Sequence, residues 1–183
     1  MEKVIEIKVE DIKRAFDEAN DNVKNCILNL FPQIREALPV TDRVKTFEDA
    51  CREVGIDPTQ YISKYDGESA DVIAYMKLRV ICKALNEGWT PRFAKGDHRY
   101  FPYFRIFSEE DIIRMSEEEK TSMVCRSGSY AYTGGGVSYD SAGYDPACAF
   151  ANHAPEISLK TKELAEYAGK QFLSLYADYF LKY

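Results

Sequence analysis

The sequence predicts an α+β protein in which a helical N-terminal half precedes a small antiparallel sheet packed under a long C-terminal helix. Before residue 88, apolar residues recur at spacings of three and four, which is typical of amphipathic helices. From Trp89 onward, aromatic residues alternate along the chain and glycines cluster, which is typical of short strands. We therefore expect a mainly helical region at 1–88 and a sheet with its closing helix at 89–183, in one compact unit.

Composition limits the kind of protein this is. Of the 183 residues, 45% are hydrophobic and 13% aromatic, so the chain can bury a core without disulfides or a structural metal. The net charge of −6 argues against general coating of nucleic acid, which depends on cations. Five scattered cysteines without a C-x-x-C pair indicate free thiols in a reducing compartment. No signal peptide or membrane-length apolar run is present, so we expect a cytoplasmic protein without a membrane partner.

The first elements are a short strand at Val4–Ile7 and one amphipathic helix over about Val9 to Phe31. Pro32 interrupts the helical hydrogen bonding, so Ile34 belongs to a following turn or short helix. We interpret the apolar stripe as docked on its own domain, and a dimer interface is the alternative. The stripe comprises Ile12, Phe16, Ala19, Val23, Ile27, Leu30 and Ile34.

Two further helices complete the N-terminal half. Thr46 is a natural N-cap for the short helix TFEDACREVG. A longer helix, roughly Ser69 to Glu87, ends at Gly88, which supplies the left-handed cap conformation. One side of this helix carries Arg79 and Lys83, which would suit an anion, although we interpret it as a solvated helix face.

The C-terminal half alternates strands with an insert. Arg99 to Phe107 predicts a strand that Pro102 places at a sheet edge or beside a bulge. The acidic segment 108–120 predicts one or two helical turns between strands. Residues 124–151 predict two or three short antiparallel strands joined by glycine turns, including one at Gly134 to Gly136. A long amphipathic helix over Thr161 to about Leu181 closes the chain.

One stretch, Trp89 to Phe107, combines rings with cations. Seven of its nineteen residues are aromatic and four are Arg or Lys, against a single Asp. On an alternating strand the odd-numbered residues from Arg99 to Phe107 share one face, as a platform that stacks on bases and neutralises phosphates requires. A half-buried strand has the same pattern, so we interpret the stretch first as the junction between helical half and sheet and second as a binding site. The predicted strand surface comprises Trp89, Arg92, Lys95, Arg99, Phe101, Tyr103, Arg105 and Phe107.

No motif carries an unambiguous catalytic, metal or cofactor signature. Neither His98 nor His153 has a second metal ligand at helical spacing. The chain also lacks a nucleophile elbow and the Lys-Ser/Thr of a phosphate loop. We therefore predict no catalytic residue, metal or cofactor. The alternative is a site in which Cys125 or Cys148 meets a histidine and a carboxylate in space.

Five segments, which cover about a third of the chain, share their order with a known family. They are KTFEDAC at 45–51, MKLRVICKALNEGWTP at 76–91, RYFPYF at 99–104, SAG at 141–143 and LKTKELAEYAGKQFLSLYADYFL at 159–181. With these segments the chain resembles uncharacterised proteins of gut Bacteroidales, their prophages and phages. It departs from the family near Phe93, where relatives often have a second Trp, and in segment 108–120, which is shorter or absent in relatives. The resemblance implies a phage or mobile-element context and transfers no catalytic residue.

The sequence therefore predicts a non-enzymatic accessory protein of phage or prophage type, with single-stranded nucleic acid as the first partner to consider. For that partner to bind, the acidic insert 108–120 would have to stand clear of the predicted strand surface. A structural or protein-interaction component is the first alternative, in which the N-terminal stripe and the closing helix form a homo-oligomer. An enzyme with a Cys, His and carboxylate site is the second.

Overall fold

The computed structural model describes residues 6–92, 94–126, 134–146 and 154–181. Contacts divide the chain into two compact units, Met1–Arg43 and Val44–Tyr183. The change of pattern at Trp89 falls within the second unit. Val4 and Ile5 of the predicted first strand lie outside the described residues, and Ile7 is exposed without regular structure. No helix in the described residues is long and apolar enough to cross a membrane.

The first unit is helical. It contains α1 (Val9–Asp17), α2 (Asp21–Leu30), a 3₁₀ helix (Pro32–Ala37) and the single turn α3 (Val40–Arg43). The prediction of one continuous helix was wrong because Asn20 starts a new one: its side chain accepts a hydrogen bond of 3.1 Å from Val23 N. Part of the apolar stripe lies in one core cluster, whereas Val23 and Leu30 of the stripe are 46% and 71% exposed. The cluster consists of Ile12, Phe16, Ile34 and Leu38, with Ile27, Leu28 and Phe31 packed against them.

The second unit begins with α4 (Phe47–Glu53), α5 (Pro58–Ser63) and α6 (Ala70–Leu85). Thr46 caps α4 in a reciprocal capping box with Asp49. Gly88 has the predicted left-handed conformation, with a φ of +85°, but α6 ends before it: Asn86 is the C-cap, and Glu87 is the first residue with a positive φ, +47°. The apolar side of α6 is buried and forms a central part of the core.

The sheet has three antiparallel strands, β1 (His98–Ser108), β2 (Met123–Arg126) and β3 (Gly135–Pro146), in the order β1-β3-β2. The edge position and bulge predicted from Pro102 are both confirmed, because β1 is the outer strand and the register shifts after Tyr103. Tyr100 also exchanges two backbone hydrogen bonds with Leu159.

The predicted glycine turn at 134–136 was wrong, because Gly135 and Gly136 begin a single long strand. A Cβ atom on Gly135 would lie 2.7 Å from Phe107 O, and one on Gly136 would lie 3.0 Å from Met123 Sδ. The two glycines therefore matter because they lack a side chain, which allows close packing within the sheet. The predicted turn would instead have required glycine for its unusual backbone angles.

The acidic insert forms α7 (Glu109–Arg114) and α8 (Glu117–Thr121), each started by a serine capping box, as the Ser116 to Glu119 spacing predicted for the second. The closing helix is divided at Phe172 into α9 (Lys162–Gln171) and α10 (Leu173–Phe180), which corrects the prediction of one long helix. The break redirects the chain: α9 packs on β1 and β3, while α10 packs on β2, β3 and α6. The α+β class with a small antiparallel sheet and C-terminal helices is confirmed.

Candidate functional site

The eight residues of the predicted strand surface do not share one exposed face. Arg99 and Phe101 are only 2% and 1% exposed. Tyr103 and Phe107 are half-buried, and the Tyr103 ring covers Gly143, leaving no room there for a side chain. The first part of β1 is therefore core, out of reach of a ligand on the surface.

The exposed cations of this surface are mostly paired. Arg105 Nε lies 2.6 Å from Asp140 Oδ1, and Arg92 Nε lies 3.3 Å from Asp97 Oδ2. A hydrogen bond from the Ser141 hydroxyl, together with Arg105, lowers the pKa of Asp140, so that carboxylate stays charged. These cations have carboxylate neighbours that would compete with a phosphate.

A different concave site contains Trp89. This α6 pocket, about 530 Å³ in volume, lies in the second unit between α5, α6, the segment 89–91 and the segment 155–156. Its volume is within the range of small-molecule sites, about 300–1,000 Å³. The pocket thus brings one residue of the predicted strand surface together with residues that the sequence did not associate with it.

The floor of the α6 pocket is one side of helix α6. Met76, Arg79, Val80 and Lys83 recur at spacings of three and four and so share that side. The Arg79 guanidinium lies 5.9 Å from the centroid of the Tyr75 ring, within the range of a cation–π interaction. This contact keeps the guanidinium close to the surface of α6. Neither Arg79 nor Lys83 has a carboxylate partner within the described part of the chain.

Aromatic side chains from α5 and the following turn form one wall. The Tyr61 and Tyr65 rings meet edge to face, with centroids 5.5 Å apart. The Tyr61 hydroxyl donates a hydrogen bond of 3.3 Å to Met76 O. Burial, and secondly its hydrogen bond with Tyr65, raise the pKa of Tyr61 to about 12, so the phenol stays neutral at physiological pH.

Asn86 holds the other end of the α6 pocket in place. Its buried amide donates a 2.8 Å hydrogen bond to Ser158 O and accepts one of 3.0 Å from Lys160 N. Trp89 N donates to Asn86 O at 2.9 Å. The Asn86 side chain therefore connects the 158–160 segment to the C-terminal end of α6, close to Trp89 in the chain.

The α6 pocket combines three rings with two cations, Arg79 and Lys83, and one carboxylate, Glu156, which is not in an ion pair with either cation. Rings stack on planar groups, and cations outside an ion pair attract an anion. The arrangement suits a planar, negatively charged ligand. The sequence contained the Arg79 and Lys83 pair, interpreted as a solvated face, but nothing in it linked Tyr61 and Tyr65 to that pair.

The residues of the alternative enzyme site are not brought together where they are described. Cys125 pairs with Gly136, which in turn pairs with Phe107, whereas His98 begins the same strand. The strand rise places Cys125 and His98 about 30 Å apart, at opposite ends of the sheet. Cys148 and His153 lie outside the described residues.

The remaining thiols and acids offer little further chemistry. Burial raises the pKa of Cys51 to about 11 and that of Cys82 to about 12, so both thiols are protonated. Cys125 is exposed and lines a shallow pocket of about 320 Å³ with Glu109 and Arg126. Within the described ranges, no group of three or more His, Cys, Asp or Glu side chains is placed to hold a metal ion.

No protein-family model, curated protein or solved structure matches the chain.

Proposed function

We propose that the protein is a non-enzymatic binding protein that takes one nucleotide of a single-stranded nucleic acid in the α6 pocket. The observation that carries this proposal is the position of Arg79 and Lys83. Both line a pocket with aromatic walls, and neither forms an ion pair among the described residues, although Glu156 also lines the pocket and the net charge of the chain is −6. A phosphate would supply a direct anionic partner for the two cations.

Stacking would supply the rest of the affinity. A base placed against Trp89 or the Tyr61 and Tyr65 wall gains about 1–3 kcal/mol from aromatic contact. Single-stranded nucleic acid presents such bases without the cost of opening a duplex. The negative charge of the whole chain opposes extended phosphate contacts, so binding should be local.

The α6 pocket is better suited to this role than the exposed end of β1. There Arg105 is already paired with Asp140, and the acidic helix α7 packs directly on β1. The resemblance to phage and prophage proteins is consistent with a nucleic-acid ligand, and we place the protein in such a context, in the cytoplasm. A homo-oligomeric structural component has less support, because Ile12, Phe16 and Ile34 of the N-terminal stripe are buried within their own unit, which leaves Val23 and Leu30 as its exposed members.

Trp89 makes the proposal directly testable, because it is the single tryptophan of the chain. We expect a single-stranded oligonucleotide to quench its fluorescence. Arg79→Ala and Lys83→Ala should each weaken binding about tenfold, the effect of losing one charge-assisted contact. For two phosphate contacts the slope of log K against log salt should be about −1.4, and each substitution should reduce it by about half.

The matched control is Arg114→Ala, which removes the same charge from exposed helix α7 and should leave affinity unchanged. Absence of binding by fluorescence and by anisotropy of a labelled oligonucleotide would refute the proposal. If Tyr103→Ala and Arg105→Ala weaken binding while Arg79→Ala does not, the contact lies on the predicted strand surface instead.

A further inference from the structure

A second, smaller cavity lies in the same unit, between β1, the segment 154–157 and α10. This inner cavity has a volume of about 210 Å³. Its described lining consists of Phe101, Pro102, Ala154, Ile157, Tyr176, Tyr179 and Phe180. Phe180 is 39% exposed and forms the solvent side. The polar side-chain groups of this described lining are two tyrosine hydroxyls, and its other side chains are apolar.

The Tyr176 hydroxyl is an anomaly in this lining. Tyr176 is 2% exposed, and its Oη atom has no hydrogen-bond partner in the described part of the chain. The neighbouring Cys82 thiol donates to Ile157 O at 3.5 Å. Burial, and secondly the nearby Cys82, raise the pKa of Tyr176 well above its usual value. The Cys82 sulfur, a weak acceptor, is close enough to the Tyr176 hydroxyl for each group to shift the pKa of the other, but the two form no hydrogen bond of good geometry. The hydroxyl therefore keeps its proton and is available as a donor.

Neighbouring aromatic rings fix the position of the Tyr176 side chain. Its ring lies 4.6 Å from the Phe104 ring and 6.3 Å from the Phe180 ring, centroid to centroid. A buried hydroxyl that is held without a partner is unusual, because buried polar groups are normally hydrogen-bonded. A buried water molecule needs two to four polar partners, and the described side chains that line the cavity offer two tyrosine hydroxyls.

We infer that the inner cavity binds a small, mainly apolar molecule that carries one hydrogen-bond acceptor, which pairs with the Tyr176 hydroxyl. Apolar cavities of about 150 Å³ accept benzene, so the inner cavity has room for a substituted single ring. A carbonyl group on such a ring would accept a hydrogen bond from the Tyr176 hydroxyl. The ring itself would contact Phe101, Ile157 and Phe180. This site is separate from the α6 pocket and does not depend on nucleic-acid binding.

The test uses two probes of the same shape, acetophenone and α-methylstyrene, of which only acetophenone has an acceptor oxygen. Calorimetric titration of the full chain should show that both bind. Tyr176→Phe should weaken acetophenone about three- to tenfold, the effect of one hydrogen bond, and leave α-methylstyrene unchanged. Ala154→Phe, which fills the cavity, should weaken both.

Circular dichroism verifies that each variant is folded. If acetophenone fails to bind the wild-type chain, the inference is overturned without reference to any variant. It is equally overturned if acetophenone binds folded Tyr176→Phe as tightly as the wild type, because the acceptor would then pair elsewhere. An equal loss for both probes in Tyr176→Phe would show that Tyr176 contributes shape alone, and would also overturn it.

Discussion

Asn86 and Tyr176 are both buried polar residues, but they differ in whether their polar atoms are hydrogen-bonded. The Asn86 amide donates to Ser158 O and accepts from Lys160 N, so each of its polar atoms is used. The Tyr176 hydroxyl has no partner in the described residues. A buried polar group without a partner costs about 1–3 kcal/mol, whereas a satisfied one contributes to stability. The two side chains should therefore respond oppositely to loss of their polar atoms.

We expect Tyr176→Phe to raise the free energy of unfolding by about 1 kcal/mol, because it removes an unsatisfied hydroxyl and keeps the ring. The contrasting variant, Asn86→Leu, keeps the side-chain volume but leaves Ser158 O and Lys160 N without their partner. It should lower that free energy by about 2–4 kcal/mol. Urea unfolding measures both, and destabilisation by Tyr176→Phe would contradict the assignment of its hydroxyl as unsatisfied.

The contact between α9 and the sheet depends on a missing side chain. Gly169 is buried in the last turn of α9, and glycine inside a helix is unfavourable by about 1 kcal/mol relative to alanine. A Cβ atom at this position would lie 2.6 Å from Tyr139 Cδ2 and 2.7 Å from Pro102 Cβ. Pro102 belongs to β1 and has little freedom to move. Close approach of helix and strand therefore outweighs helix propensity.

Gly169→Ala should for this reason destabilise the protein by about 1–3 kcal/mol, despite the gain in helix propensity. Thermal unfolding measures the change. Lys162→Ala, an exposed substitution in the first turn of the same helix, is the control and should change stability by less than about 0.5 kcal/mol. A higher melting temperature for Gly169→Ala would show that α9 lies farther from the sheet than described.

Charge over the whole chain restricts how an anion can bind. The net charge is −6, and many described cations are held in ion pairs, for example Arg126 with Asp178 at 2.6 Å and Lys160 with Glu87 at 2.8 Å. Long-range attraction of a polyanion is therefore absent, and a local contact with rings must supply the affinity. Double-stranded DNA hides its bases in the stack and offers mainly phosphates.

We consequently expect a duplex of the same length to leave Trp89 fluorescence unchanged at physiological salt, while the single strand quenches it. Competition of unlabelled duplex against a labelled single strand measures the preference, which should be about 5- to 150-fold if one stacked base supplies about 1–3 kcal/mol. Equal affinity for the two forms would indicate a phosphate contact without stacking. A protein with the α6 pocket as its site should not behave in that way.

The fold class and many element ends follow from residues that are neighbours in the chain. Thr46 and Ser116 cap their helices through hydrogen bonds to residues three positions later, and Gly88 adopts a left-handed conformation in the turn that follows α6. Pro102 likewise predicts a strand at a sheet edge or beside a bulge. Such interactions act over three or four residues, so the amino-acid order alone is enough to predict them.

The site required the tertiary structure. The α6 pocket joins Tyr61, Arg79, Trp89 and Glu156, whose distances along the chain carry no signal that they meet. The burial of Arg99 and the break at Phe172 also depend on packing between elements far apart in the chain. Local hydrogen bonding and periodicity therefore determined the elements. Burial of apolar surface determined which side chains became core and which surround a space that a ligand can enter.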